Sequence, residues 1–99
     1  MTPAVYHPEA EAELNEAADR YDSRQRRLGE RFLDAVVAAI SVICRSPEGF
    51  GFLRDDVRCH LVRRFPYGIL YQVQPDCVFI VAVMPLARKP DYWEHRLDG

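Results

Sequence analysis

The apolar residues of this chain change their spacing on either side of Pro47, and this change limits the possible folds more than any other feature. Before it, they recur as on one face of an α-helix: Phe32, Ala35, Val36, Ala39, Ile40 and Ile43. After it, they form three strand-like runs: Val57 to Arg64, Tyr67 to Val73 and Cys77 to Met84. Ser46-Pro47-Glu48-Gly49 ends the helix, because proline and glycine resist helical continuation. Helices followed by strands predict an α+β domain.

A short strand and a first helix precede this buried helix. Ala4 to Tyr6 is short enough for a single strand. Pro8 followed by Glu9 and Glu11 favours a helix start, since proline fits the first helical position and carboxylates suit the positive end of the helix dipole. The polar linker Ser23 to Arg27 is short, so we expect the two helices to pack as a hairpin. The apolar stripe of the first helix is narrow: Leu14, Ala17, Ala18 and Tyr21.

The three downstream runs predict a small antiparallel sheet. Val57 to Arg64 alternates apolar and polar residues, which is typical of a strand with one face in water. Gln74-Pro75-Asp76-Cys77 has proline at the second turn position and should join the last two strands as a hairpin. We therefore expect the order β-α-α-β-β-β, with the helical hairpin covering one face of the sheet and the arginines displayed on the other.

Two segments are expected to lie outside regular structure in a single domain of residues 1–99. Pro47 to Asp56 is interpreted as a loop. Asp91 to Arg96 is interpreted as one helical turn or an irregular tail, after Pro85 and Pro90 stop regular pairing.

Composition argues against membrane, metal and disulfide proteins. The N-terminus lacks the basic and apolar segments of a signal peptide. The longest apolar run, Ala35 to Ile43, is far shorter than the roughly 20 residues that span a bilayer. Cys44, Cys59 and Cys77 are widely spaced, which predicts neither a disulfide framework nor a zinc site. We expect a soluble, cytoplasmic protein that needs no cofactor.

Charge is distributed unevenly along the chain. The net charge is −2, whereas general nucleic-acid binders usually carry a basic excess. Residues 57–90, however, hold four arginines and one lysine against Asp76 alone. Such a basic stretch, interleaved with aromatic residues, can attract an anionic partner even when the whole molecule is slightly negative.

Five short motifs follow one another along nearly the whole chain. They are Arg20-Tyr21, Val57-Arg58, Arg64-Phe65-Pro66-Tyr67-Gly68-Ile69-Leu70-Tyr71, Val81-Ala82-Val83-Met84 and Arg88-Lys89-Pro90-Asp91-Tyr92-Trp93. In this order they resemble the RelE/ParE superfamily of bacterial toxins, the toxin half of type II toxin-antitoxin (plasmid stabilisation) systems. The resemblance implies the same α+β fold and a cognate antitoxin as partner.

The superfamily divides by target. RelE-like members cut messenger RNA on the ribosome without a metal, through a cluster of Lys, Arg and Tyr or His side chains. ParE-like members share the scaffold, lack that full cluster and poison DNA gyrase by protein contact. RNA cleavage needs a base, an acid and fixed cations around the phosphate. The nuclease candidates here are Arg58, Arg64, Arg88 and Tyr92, with Lys89, His60 and His95 as further members.

The proton carriers of a nuclease are poorly supported. Lys89 is the single lysine, and Asp55-Asp56 would repel a phosphate. Pro85 stands where the family often has a histidine. These departures favour a ParE-like toxin that contacts gyrase and forms a hetero-oligomer with its antitoxin. The alternatives are a RelE-like endoribonuclease, with the ribosome and mRNA as partners, and a non-toxic relative that only binds a partner.

The candidate residues for binding the target or the antitoxin are Arg58, Arg64, Tyr67, Arg88, Lys89, Tyr92 and Trp93. Each has a structural alternative: the strand arginines as partners of helix carboxylates such as Glu13 or Glu16, Tyr67 as a core aromatic, and Trp93 as the anchor of the tail on the sheet. Arg88 is the strongest functional candidate, because packing beyond the last strand has little need of a cation.

Overall fold

Two helices and five strands make up the part of the chain that the structure, a computed structural model, describes, namely residues 1–89 and 91–98. Short 3-10 helices also occur at Pro47–Gly49 and Glu94–Asp98. Pro90, predicted to stop strand pairing, lies outside the described residues. The regular elements in chain order are β1 (Ala4–Tyr6), α1 (Pro8–Arg24), α2 (Leu28–Arg45), β2 (Phe52–Arg54), β3 (Val57–Leu61), β4 (Tyr67–Val73) and β5 (Val78–Pro85).

The sheet is mixed, with the strand order β1-β5-β4-β3-β2. The α+β fold and the predicted hairpin of β4 and β5 are confirmed. β1, however, pairs in parallel with β5, so the sheet is not purely antiparallel as expected. A parallel pair requires a long crossover connection, and here the chain between β1 and β5 contains both helices and the strands β2 to β4. In the segment interpreted as a loop, β2 adds an edge strand; with three residues, all exposed, it is too short to show a period.

The helices begin and end close to where the sequence places them. The Nδ1 atom of His7 accepts a hydrogen bond from the backbone N–H of Glu9 at 3.0 Å, and Pro8 occupies the first turn. Gly29 of α2 lies in close contact with α1. A Cβ atom there would lie 2.3 Å from the carbonyl oxygen of Ala18, while the Gly29 N–H donates to Asp22 at 2.8 Å. The close packing of the helical hairpin therefore requires a glycine at position 29.

The main core lies between the helical hairpin and one face of the sheet. Phe32 has no exposed surface and packs against Tyr67, with ring centroids 4.8 Å apart. Tyr21 and Phe65 complete the aromatic group around it. Apolar residues of α2 and of the central strands fill the rest: Val36, Ala39, Ile40, Ile43, Ile69, Tyr71, Val78, Ile80 and Val83.

The opposite face of the sheet was expected to be open to water and to carry the arginines, and this expectation is wrong. The C-terminal tail covers it: Trp93 has no exposed surface and packs on Val57, Leu70, Val81, Ala82 and Met84. Arg58 is paired with Tyr71, a member of the helix-side core, and so points to the helix side. The alternation of β3 showed two faces but not which of them the tail would bury.

Within residues 1–89 and 91–98, neither helix is long and apolar enough to cross a membrane. The same residues contain no group of three or more His, Cys, Asp and Glu side chains that could hold a metal ion.

Candidate functional site

Two neighbouring segments at one end of the sheet carry four cations. The turn between β3 and β4 contains Arg63 and Arg64, and the segment after β5 contains Arg88 and Lys89. The two segments are joined by a hydrogen bond of 2.9 Å from the N–H of Leu86 to the carbonyl of Pro66. All four side chains are exposed, and none forms an ion pair within the described residues. We call these four residues the basic end.

Two exposed leucines lie beside the basic end. Leu61, the last residue of β3, is 58% exposed, and Leu86, the first residue after β5, is 48% exposed. Both leucine side chains lie within 4 Å of the position that a Cβ atom would take at Gly68. That Cβ atom would also lie only 3.0 Å from the sulfur of Cys59, so glycine leaves room for the leucines. Exposed apolar side chains rimmed by cations are typical of a surface that binds another protein.

Arg88 and Tyr92 stack on each other. The guanidinium carbon of Arg88 lies 4.2 Å from the centre of the Tyr92 ring, a cation–π arrangement. The Tyr92 hydroxyl donates a hydrogen bond to Glu13. Burial, together with this bond to a carboxylate, raises the pKa of Tyr92 well above its ordinary value. The phenol therefore stays protonated at neutral pH and is already engaged, which makes it a poor acid or base.

Glu13 and Arg96 form a polar node that the sequence analysis missed. The Nη1 atom of Arg96 donates to Glu13 at 2.7 Å and to the carbonyl of Val81 at 3.1 Å. The N–H of Val83 donates to the same Glu13 oxygen at 3.2 Å. Because β1 pairs only with Val78 to Ile80, these side chains satisfy backbone groups of β5 beyond the end of β1.

A weak signal for this node was present in the sequence. Glu13 is three residues from Ala10 and four from Ala17, both buried, so its carboxylate lies on the apolar stripe of α1. Burial by itself lowers the pKa of Arg96, but the hydrogen bond and the charge of Glu13 outweigh burial and raise it. Arg96 is therefore held charged in the interior, where it fixes the tail to α1 and β5.

Comparison with known proteins identifies the family to which this chain belongs. Residues 4–90 match the family model described as the ParE toxin of the type II toxin-antitoxin system, parDE. The chain belongs to the ParE toxin family. A solved structure described as the chromosomal ParDE TA system from P. aeruginosa has the same fold: the TM-score is 0.77 at 17% identity, over 87% of this chain and 97% of that chain. No curated protein matches the sequence. The protein is thus a toxin of a type II toxin-antitoxin system.

In this ParE toxin, three of the predicted site residues support the fold. Tyr67 is 6% exposed, and its hydroxyl accepts a hydrogen bond of 3.4 Å from Arg20. Trp93 is buried between the tail and the sheet. Arg58 is half-buried: its Nη1 donates to the carbonyl of Phe50 at 2.7 Å, and its guanidinium lies 3.9 Å from the Phe52 ring centre. Arg58 therefore binds the segment after α2, not the helix carboxylates suggested by the sequence.

The histidines do not join the arginines in one place. His60 stacks on Phe50, with ring centroids 4.1 Å apart, and burial lowers its pKa. His95 lies 2.9 Å from Glu9, and this hydrogen bond lowers the pKa of Glu9. Arg58 on β3 is separated from the Arg88–Tyr92 pair by β4. Of the predicted residues, Arg64, Arg88 and Lys89 lie in neighbouring segments at the same end of the sheet, and Arg88 stacks on Tyr92.

Proposed function

We propose that this ParE toxin arrests growth in the cytoplasm by binding DNA gyrase, and that a cognate antitoxin neutralises it. The observation that carries the proposal is the basic end beside exposed Leu61 and Leu86. Cations around apolar side chains suit the binding of another protein, because burial of the apolar groups stabilises the complex while the charges steer and orient the partner.

The placement of the proton carriers supports contact rather than cleavage. A metal-independent nuclease needs a base and an acid within hydrogen-bond reach of one phosphate. In the described part of the chain, Tyr92 is bonded to Glu13, His95 to Glu9, and His60 lies against Phe50 on β3. None of these groups stands free beside the basic end, so the nuclease alternative has cations without a proton carrier.

Two assays separate the alternatives. Purified toxin is added to gyrase with relaxed plasmid, and in parallel to translating ribosomes with a defined messenger RNA. We expect loss of supercoiling in the first assay and uncut messenger in the second. Arg88→Ala should weaken gyrase inhibition several-fold. Arg45→Ala is the matched control, since Arg45 is an exposed arginine at the opposite end of the sheet, beside Val73 and Gln74.

Other outcomes of these assays would contradict the proposed function. Site-specific cuts in the messenger that disappear in Arg88→Ala would identify a RelE-like nuclease. Unimpaired growth after induction of the toxin would identify a relative that only binds a partner. For the antitoxin, the product of a short acidic reading frame next to this one should restore growth and co-purify with the toxin; failure of both would contradict neutralisation.

A further inference from the structure

A cleft opens between the first turns of α2 and the turn that joins β3 to β4. Its volume is about 540 Å³. The floor is apolar and consists of Leu28 and Ala35 from α2 and Phe65 from the turn. This cleft lies on the helix side of the sheet, whereas Leu61 and Leu86 lie near Gly68 on the other side. It is therefore a different surface from the leucine pair.

Three arginines surround the cleft, and one carboxylate accompanies them. Arg31 comes from α2, and Arg63 and Arg64 come from the turn; the carboxylate is Asp34. All four side chains are exposed, and within the described residues none of the arginines donates a side-chain hydrogen bond or forms an ion pair. Like charges gathered without partners repel one another, so an anionic group placed among them would be held by several guanidinium groups at once.

The backbone at Arg64 is unfavourable for its residue type. Its φ angle is 70°, in the left-handed region, where a side chain with a Cβ atom costs about 1–2 kcal/mol and glycine or asparagine is usual. Arg27 and Asp55 also have positive φ angles, so this angle marks a turn and not a site by itself. What distinguishes Arg64 is that its exposed guanidinium group lines the cleft beside Arg31 and Arg63.

We propose that this cleft binds an acidic peptide segment carrying a bulky apolar side chain, and that the antitoxin supplies the segment. The choice of the antitoxin rests on the proposed function. Carboxylates would pair with the three arginines, and the apolar side chain would occupy the floor formed by Leu28, Ala35 and Phe65. A nucleic acid is a poorer fit, because Leu28, Ala35 and Phe65 offer no polar side chain to the edges of its bases, whereas they can bury an apolar side chain of a peptide.

Binding here also accounts for neutralisation. Arg63 and Arg64 belong to both the cleft and the basic end. A segment seated in the cleft engages their charges and withdraws them from the surface that contacts the target. The antitoxin then needs no contact with Arg88 to weaken the toxin.

The test uses the purified full chain and labelled peptides. A short fluorescein-labelled peptide of glutamate and leucine is titrated by fluorescence anisotropy, beside a glutamate–serine peptide, a lysine–leucine peptide and a single-stranded RNA of equal charge. We expect the glutamate–leucine peptide to bind most tightly and to compete with the antitoxin. Arg31→Gln, Arg63→Gln and Arg64→Gln should each weaken binding about fivefold, the upper end for an exposed charge pair.

Matched variants separate a site from general attraction. Arg26→Gln removes an exposed arginine of the link between the helices that does not line the cleft, and it should change the affinity by less than about twofold. Arg63→Glu should lose the glutamate–leucine peptide and gain the lysine–leucine peptide, which misfolding would not produce. Equal losses in Arg26→Gln and the cleft variants, or tighter RNA binding through the same arginines, would overturn the proposal.

The outcome is separable from that of the gyrase assay. Arginine-dependent peptide binding by a chain that leaves gyrase unaffected would contradict the proposed target and support the cleft. Gyrase inhibition by a chain whose peptide binding ignores Arg31, Arg63 and Arg64 would contradict the cleft alone.

Discussion

Arg96 donates a hydrogen bond of 2.7 Å to Glu13 although 83 positions separate the two residues in the sequence. The Arg96 side chain is 5% exposed and that of Glu13 15% exposed. A nearly buried ion pair of this kind adds little net stability over an apolar pair, but removal of one partner leaves a charge in the interior. The pair therefore fixes where the C-terminal tail docks.

Glu13→Gln should lower the free energy of unfolding by about 3 kcal/mol, measured by denaturant titration. Among the side chains that the structure describes, the other carboxylate near Arg96 is that of Glu9, which is half-exposed and 3.9 Å from the Nε atom. Its interaction is too weak to replace that of Glu13. The control is Glu16→Gln on the exposed face of α1, expected to stay within about 0.5 kcal/mol of the unmodified protein. Equally small losses in both variants would contradict a structural role for the node.

Gly29→Ala should destabilise the fold by about 2–3 kcal/mol, although alanine is the better helix former by about 1 kcal/mol. The new Cβ atom would overlap the Ala18 carbonyl oxygen, so the two helices must move apart. Gly51→Ala is the control, because a Cβ atom at that position would meet no atom within 4 Å beyond its chain neighbours, and the φ angle there is not positive. Thermal unfolding of the two variants should differ clearly in midpoint.

Arg64→Gly should leave the free energy of unfolding unchanged or raise it by up to about 1 kcal/mol. Relief of the left-handed backbone offsets the added flexibility of the unfolded chain. Arg63→Gly also makes the unfolded chain more flexible, but it relieves no left-handed backbone. It should therefore be less stable than Arg64→Gly by about 1 kcal/mol. If denaturant titration ranks the two variants in the opposite order, Arg64 contributes to the fold through contacts of its side chain.

His60 should make the protein less stable in mild acid. Burial lowers its pKa in the folded state, so the unfolded chain binds a proton more readily. The stability is complete above the ordinary histidine pKa of about 6.5 and is lost as the pH falls through the lower value of the folded state. His60→Gln should flatten the dependence of the unfolding midpoint between about pH 7 and pH 5. An unchanged slope would assign the acid sensitivity to other groups.

Arg88→Ala should leave the melting temperature nearly unchanged while weakening growth arrest. Its side chain is exposed and stacks on the Tyr92 ring, a contact of about 0.5–1 kcal/mol at the surface. Phe32→Ala or Ile40→Ala should instead cost about 3–4 kcal/mol and abolish toxicity through unfolding. Loss of structure in Arg88→Ala would show that this residue serves the fold.

Several elements could be predicted from the sequence because neighbours along the chain fix them. The spacing of Phe32 to Ile43 sets the buried face of α2, and Pro8 sets the start of α1. The turn at Gln74 to Cys77 sets the hairpin of β4 and β5. A period of three to four or of two is a local property, so a reader of the sequence recovers it without knowing the fold.

The basic end was partly predictable. Arg64, Arg88 and Lys89 stood out because so few acids lie near them in the sequence. Arg31 did not, because on α2 it looks like any solvated arginine, and only the packing of α2 against the β3–β4 turn places it beside Arg63 and Arg64.

Short-range patterns were therefore enough to predict the helices, the three long strands and the family resemblance. Packing in three dimensions was needed to reveal that β1 lies parallel to β5, that the tail covers the second face and that Arg58 points to the helix side. It also brought Arg96 to Glu13. These features depend on contacts between residues far apart in the chain. The spacing of apolar residues along one segment does not specify which other segment will pack against it.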